Sequence, residues 1–246
     1  MAAYAGFWLT FFIKCDKIDI IFSRGKFMPP ISIKKGEEKY LAEIERLERI
    51  MFYERRLQAE GLRIIAGVDE VGRGPLAGPV VACALVLPEE YILYLDDSKK
   101  MPEKRREEIF ETLLEKAADA AVGVVSNEVI DEINILQATY MAMRQAVGGL
   151  KSVPEALLVD YVTIPGINIM QTGITKGDSK SASIAAASIY AKVTRDRMLK
   201  EFDEIYPEYD FASNKGYGTK RHYEALEKYG PCPIHRRSFL QGMLDL

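Results

Sequence analysis

The stretch Gly67-Val68-Asp69-Glu70-Val71-Gly72-Arg73-Gly74 carries an apolar run into two adjacent carboxylates and then into an arginine held between two glycines. Neighbouring carboxylates repel each other and are costly to bury, so a chain that keeps them together needs a cation or water there. Glycine lets a backbone come close to a ligand, and a guanidinium is a planar fork of donors suited to phosphate. Working outward, Arg63 to Val68 reads as a strand, and Gly78 to Leu87 is nearly all apolar, as in a strand buried on both faces. The glycine-rich turn at 72–78 joins the two most simply as an antiparallel pair. Taken locally, the same residues also describe an exposed acidic strand end followed by a glycine turn, so the rest of the chain decides.

Upstream, Glu37 to Ala59 places Leu41, Ile44, Leu47 and Met51 on one helical face, and Gly61 ends that pattern. Downstream, Pro102 opens a helix over Glu103–Ala117, Ala120–Val125 is a third strand, and Asn134 to Val147 is a further helix. Ala156 to Val159 is a short apolar strand running into Asp160, and Ile167 to Met170 is another candidate strand. Lys176-Gly177-Asp178 precedes a long helix, with Asp178 in the N-cap region and small residues at Ala182, Ala185, Ala186 and Ala187 for close approach to a sheet. Strands in a cluster followed by alternating helix and strand predict a mixed α/β layer fold.

With 246 residues, 48% hydrophobic and 28% charged, the chain can bury a sizeable core, and a net charge of −3 means that any contact with nucleic acid is local. Cys15, Cys83 and Cys232 are odd in number and far apart, which argues against disulfides or a zinc site and favours a reducing cytoplasm. Only His222 and His235 occur, so a metal would take oxygen ligands. Ala2 to Ile13 is apolar but too short to span a bilayer, and the lysines at 14 and 17 follow it rather than precede it as in a signal peptide. Residues 1–35 differ in texture from the rest; they are expected to be a poorly packed extension or the product of a start codon placed too early, with Met28 as the alternative start.

Asp69 and Glu70, Asp160 and Asp178 stand at the ends or starts of three separate elements. Read singly, Asp178 is a helix cap and Asp160 a strand-end carboxylate; read together they form an oxygen set suited to Mg2+ or Mn2+. At this point the chain closely resembles the ribonuclease HII family, the type 2 branch of ribonuclease H. The resemblance rests on the Gly67–Val81 block, Asp97-Ser98-Lys99, Leu158-Val159-Asp160, Lys176-Gly177-Asp178 and the helix through Ala185-Ala186-Ala187-Ser188 and Ala191-Lys192-Val193. It continues through Lys215-Gly216-Tyr217-Gly218-Thr219 and Pro233-Ile234-His235-Arg236-Arg237-Ser238-Phe239, so that it spans residues 62–240. One departure is Tyr161, where members usually carry Gly or Ala.

The resemblance implies a ribonuclease H-like mixed five-stranded sheet flanked by helices, with residues 1–35 unassigned, 36–60 a helical extension and 61–246 the catalytic domain. It implies that Asp69, Glu70, Asp160 and Asp178 bind Mg2+ or Mn2+, two ions during catalysis, and hydrolyse the RNA strand of RNA–DNA hybrids or cut at ribonucleotides embedded in duplex DNA, leaving 5′-phosphate and 3′-hydroxyl ends. Gly72, Arg73 and Gly74 would recognise the RNA–DNA junction, and Tyr217 would stack on the deoxyribose that follows the ribonucleotide. Lys99, Lys176, Lys180 and Lys192 are candidates for phosphate contacts, while the cluster around His235, Arg236 and Arg237 reads as structural or phosphate-facing. Two alternatives stay open: another two-metal phosphodiesterase of the same fold acting on DNA, and a non-catalytic hybrid-binding module.

Overall fold

In the computed structural model, residues 35–242 are described, together with the backbone of 11–15, 18–23 and 26–27. The chain divides into two compact units, Met1–Arg46 and Leu47–Leu246. In the first, β1 (Phe11–Cys15), β2 (Ile18–Ser23) and β3 (Lys26–Phe27) pair antiparallel in that order, followed by the start of helix α1 (Lys35–Ile50). The alternative start at Met28 lies outside the described residues. Helix α1 ends at Ile50 and α2 runs Phe52–Ala59, so the single amphipathic helix expected over 37–59 is broken at Met51.

The larger unit is built on β4 (Ile65–Val71), β5 (Val80–Val86), β6 (Asp119–Val125), β7 (Ala156–Asp160) and β8 (Met170–Ile174), ordered β6-β5-β4-β7-β8. β4 pairs antiparallel with β5 and parallel with β7; β5 and β6 are antiparallel, β7 and β8 parallel. The expected mixed five-stranded sheet is what the chain forms. Around it lie α3 (Glu103–Lys116), α4 (Asn127–Gly148), α5 (Ala182–Ile205), α6 (Phe211–Asn214), α7 (Lys220–Tyr229) and α8 (Arg237–Leu240). None of the described helices is long and apolar enough to cross a membrane.

Alternation along β4 decides which helix meets which side chain. Ala66 and Val68 pack into a core with Ile130, Ala138, Ala142, Met143 and Ala146 of α4. Ile65 packs with Leu57 of α2, Leu158 and Ile184 of α5 on the other face. Gly67 faces α5 so closely that a Cβ there would lie 2.1 Å from the Ser183 carbonyl carbon, so only glycine allows the two backbones to touch. The alanines at 182, 185, 186 and 187 are fully buried, as the small-residue face requires.

Four sequence expectations change. β4 continues to Val71, which puts Asp69 and Glu70 inside the ladder opposite Cys83 and Ala82 rather than beyond a strand end. The last strand is Met170–Ile174 instead of Ile167–Met170. The Gln171 side chain accepts from the Ile164 N–H at 2.8 Å and donates to the Ile164 and Ile167 carbonyls, which fixes Ile167 in a loop. Helix α4 starts at Asn127, with a kink at Asn134 (φ 69°) whose Oδ1 accepts from the N–H groups of Leu136 and Gln137. Asn134 thus caps the second half, which is the helix the sequence predicts.

The fourth change concerns α5. Its N-cap is Ser181, whose hydroxyl oxygen accepts from the Ile184 N–H, and Asp178 lies in a preceding single turn, Gly177–Ser179. The cap is reinforced by buried Glu54 of α2, whose Oε1 accepts from the Ser181 hydroxyl at 2.6 Å, the Ser183 hydroxyl at 2.6 Å and the Ser183 N–H at 2.9 Å. A carboxylate at a helix N-terminus also meets the positive end of the helix dipole. Asp178 is therefore free to face the end of the sheet.

Candidate active site

Asp69 leaves β4 toward α5 and is 5% exposed. Its Oδ1 accepts from the Glu70 N–H at 2.8 Å, and the nearby Ser188 hydroxyl on α5 favours its charged form. The Ser188 and Ser98 hydroxyls are hydrogen-bonded to each other at 2.9 Å beside the buried carboxylate. Asp160 ends β7 and its Oδ1 accepts from the Gly177 N–H at 2.7 Å. A Cβ at Gly177 would lie 2.6 Å from Ile184 Cδ1 and 3.2 Å from Asp160 Oδ1, so this glycine leaves room for the carboxylate. Asp178 follows one residue later in the same turn. Lys99 Nζ stands 3.8 Å from its Oδ2.

Asp69, Glu70 and Asp178 each feel the charge of Asp160. Burial, then Glu70 and Asp160, push the Asp69 carboxyl well above the usual carboxylate range. Burial raises Glu70 as well, with Arg73 opposing and Asp160 adding to the rise. Asp178 is raised by burial and then by Asp97 and Asp160, while Lys99 draws it down. Lys99 in turn is held charged by Asp69, Asp178, Asp97 and Asp160 against its own burial. Such a set accumulates negative charge that its neighbours do not neutralise. Among the described residues no three His, Cys, Asp or Glu side chains are gathered tightly enough to hold one metal ion as they stand. The donor chemistry nevertheless fits a hard divalent cation: all-oxygen carboxylates from separate rigid elements, with no thiolate or imidazole among them.

The glycine-rich loop lies against the C-terminal part of the chain. Gly72 has φ 91°, and a Cβ on it would meet Arg195 Nε at 2.3 Å, so its role is to turn the chain and admit an arginine rather than to approach a ligand. Arg195 of α5 donates to the carbonyls of Pro79 at 2.9 Å, Ala77 at 3.0 Å and Lys215 at 2.9 Å. Arg236, also fully buried, donates to the carbonyls of Gly72, Arg73, Pro75 and Gly78 at 2.5–3.0 Å. This settles the reading of Arg236: it is structural, and its guanidinium is not offered to phosphate.

What the loop presents outward is Arg73, exposed and 3.4 Å from Glu70 Oε1, and Gly74, whose missing Cβ would point at Tyr217 Cε1 3.6 Å away. Tyr217 is 45% exposed. The structure therefore brings Gly74 and Tyr217 side by side. Lys176 and Lys180 flank the Asp178 turn and are exposed, whereas Lys192 is turned to Asp196 at 2.7 Å. Sequence reasoning passed over Asp97, Ser188 and Arg195 as site residues. Asp97 was the most accessible of them, since it stands two residues before Lys99 and its Oδ1 accepts from the Lys99 N–H at 2.9 Å.

Tyr161 has φ 62°, a left-handed conformation that costs a side-chain-bearing residue about 1–2 kcal/mol, and its ring is 70% exposed. The position therefore suits glycine, and nothing in the structure explains the tyrosine that stands there. Tyr161→Gly is expected to stabilise the protein by about 1 kcal/mol, measured by urea unfolding. A lower midpoint would mean that the exposed ring makes contacts worth more than the strain.

A mixed five-stranded sheet in this order, with carboxylates on β4, at the end of β7 and in the turn before α5, defines a ribonuclease H-like fold with an acidic face. Residues 66–241 match the family model described as Ribonuclease HII. The chain belongs to the ribonuclease HII family, and so to the endoribonucleases. It is 56% identical over 203 residues to the ribonuclease HII of Caldanaerobacter subterraneus subsp. tengcongensis, covering 82% of this chain and 84% of that one. It resembles the crystal structure of the ribonuclease H2 from Pyrococcus horikoshii OT3 with a TM-score of 0.61 and 30% identity, over 72% of this chain and 93% of that one. The fold is also shared, at 16% identity and a TM-score of 0.52 over 92% and 86% of the two chains, with Bst-RNase HIII in complex with Mn2+.

Proposed function

We propose that this protein hydrolyses the RNA strand of RNA–DNA hybrids and cuts at single ribonucleotides embedded in duplex DNA, leaving 5′-phosphate and 3′-hydroxyl ends in the cytoplasm. Asp69, Glu70, Asp160 and Asp178 would hold Mg2+ or Mn2+. The observation that carries this reading is that Asp160 of β7 adds its charge to the burial that raises Asp69 and Glu70 of β4 and Asp178 of the turn before α5, so that four carboxylates from three elements face one another. Bound divalent ions would supply activation of the attacking water and stabilisation of the leaving 3′-oxygen. Asp69 is held in place by the Glu70 N–H, and the Ser188 hydroxyl nearby favours its charged form. Arg73, Lys99, Lys176 and Lys180 supply positive charge around the acidic centre for the phosphates on either side of the scissile one.

Discrimination of RNA from DNA falls to the 2′-hydroxyl, the one group that differs at a given position. Gly74 leaves its backbone open on the side where Tyr217 presents a ring, so a sugar edge can lie against the loop while its neighbour stacks on the tyrosine. The experiment that tests the activity is cleavage, with Mg2+, of a DNA duplex containing one ribonucleotide against an all-DNA control. Cutting of both, or of neither, would overturn it; cutting of both would favour a DNA phosphodiesterase of the same fold.

Tyr217→Ala removes a stacking surface worth roughly 1–3 kcal/mol and is expected to lower kcat/KM on the single-ribonucleotide duplex by about ten- to a hundredfold. Gly74→Ala adds a methyl at ordinary contact distance from the Tyr217 ring, so it should leave the fold intact and weaken junction cleavage by obstruction. Both losses should be smaller on a long hybrid, which offers many registers where a lone ribonucleotide offers one. Equal losses on the two substrates would place junction recognition elsewhere.

A further inference from the structure

Tyr217 has a second set of partners that the acidic site does not use. His222 of α7 and His235 are both buried, and their Nε2 atoms lie 2.9 Å apart. His222 Nδ1 is 2.9 Å from the Tyr217 carbonyl oxygen, which can only accept, so that nitrogen carries the proton. His235 Nδ1 accepts from the Cys232 N–H at 2.9 Å, with the Cys232 Sγ at 3.1 Å also able to donate to it; the Cys232 carbonyl oxygen lies farther off at 3.3 Å and already accepts from the His235 N–H, so that nitrogen is bare. The two ends fix the middle. His235 Nε2–H donates to His222 Nε2, and the chain of donors runs in one direction from Cys232 through both rings to Tyr217.

This arrangement exists only while both rings are neutral, because an added proton would set two N–H groups against each other. The surroundings enforce neutrality. The rings lie against Tyr209, 4.9 Å from His235 between centroids, and Phe211, 5.4 Å from His222. Burial, then the neighbouring imidazole, holds His235 down to about 4, and burial lowers His222. Two neutral histidines fixed in opposite tautomers are more than core filling needs, since aliphatic residues of similar size would pack without a buried polar chain to satisfy.

The same short segment also holds the other half of the recognition surface. The Ile234 carbonyl accepts from the Gly78 N–H at 2.9 Å, the Arg236 N–H donates to the Leu76 carbonyl at 2.8 Å, and the Leu76 N–H donates to the Gly216 carbonyl at 2.8 Å. Resting on the function proposed above, we infer that His222 and His235 are positioning residues for junction recognition, setting the Tyr217 backbone relative to the Gly72–Gly74 loop through a one-way hydrogen-bond chain. They touch neither substrate nor metal. They act through where the Tyr217 ring is held.

The test uses the full-length protein with Mg2+ and two substrates, a duplex with one embedded ribonucleotide and a long RNA–DNA hybrid. His222→Leu removes one of the two donors to the Tyr217 carbonyl, leaving the Thr219 N–H at 2.8 Å, and fills the space; it is expected to lower kcat/KM on the single-ribonucleotide duplex by about tenfold and on the hybrid by less. His222→Asn, whose amide can donate from near the Nδ1 position, should recover most of that loss. In a Tyr217→Ala background, His222→Leu should cost nothing further on the junction substrate, because its effect passes through the absent ring. Should His222→Leu fail to fold, His235→Gln, which keeps a donor toward His222, is compared with His235→Leu by the same ratio of the two substrates. Equal losses on both substrates, or a full additional loss in the Tyr217→Ala background, would overturn the inference. If the unmodified protein cleaves neither substrate, it is the proposed function that fails rather than the role of the histidines.

Discussion

Asp69→Asn is expected to lower cleavage by about a thousandfold or more while raising the thermal midpoint of the metal-free protein. The activity loss follows from replacing a charged oxygen ligand with an amide at the most buried of the four carboxylates. The stability gain follows from the same burial. Asp69 lies against Glu70 and Asp160, whose charges oppose its own, and its Oδ1 bond to the Glu70 N–H at 2.8 Å is one that an amide oxygen can keep. Removing one charge from a cluster of like charges relieves repulsion that only a cation otherwise offsets. Calorimetry with EDTA and then with Mg2+ should show the order of midpoints reverse, since the unmodified protein gains more from the ion. Near-normal turnover in saturating Mg2+ would remove Asp69 from the ligand set, and a lower metal-free midpoint would remove the repulsion argument.

Arg236→Met is expected to cost about 3 kcal/mol or more of stability, the largest loss of the substitutions considered. The guanidinium serves the carbonyls of Gly72, Arg73, Pro75 and Gly78 from inside the loop, and it lies 5.1 Å from the Phe239 ring. Burial and the nearby Arg195 hold it down to about 9, so it remains charged at neutral pH. Methionine fills the space and leaves those buried carbonyls without donors. Arg236→Lys should rescue little, because three donors on one nitrogen cannot span a fork built for a planar group. Urea unfolding measures the loss, and faster amide exchange confined at first to residues 72–78 would locate it. A change below about 1 kcal/mol would show that water replaces the arginine there.

Much of the site was legible because its residues break the rules of ordinary packing. Two carboxylates at the end of an apolar run, and aspartates at 160 and 178 flanking the next elements, are hard to explain as core or as surface. The residues that hold the site were not legible for the opposite reason. Ser188 sits in an alanine-rich helix and reads as one more small side chain. Arg195 drew no reading and Arg236 was left as structural or phosphate-facing, since a sequence cannot show that the carbonyls of a distant loop will surround them. The histidines were too few to suggest a pair. On the fold, the sheet was read correctly where strands are continuous apolar runs, and missed at Ile167, where a side-chain amide rather than periodicity sets the strand's start. Asp178 was read as a cap because aspartate before an alanine-rich run resembles one; the actual cap, Ser181, is buried under a glutamate from a segment more than a hundred residues away in sequence.

Helix α5 carries both Ser188, which stands beside Asp69, and Arg195, which grips the glycine-rich loop and the backbone at Lys215. Two turns of α-helix separate them, about 10 Å along a rod whose length does not vary. Under the proposed function, the place where the strand would be cut is measured from the place where the sugar would be read, with the helix as the ruler. A single residue inserted between positions 188 and 195 would turn one end by about 100° against the other. Such a chain could keep every carboxylate and every recognition residue and still lose the register between reading and cutting.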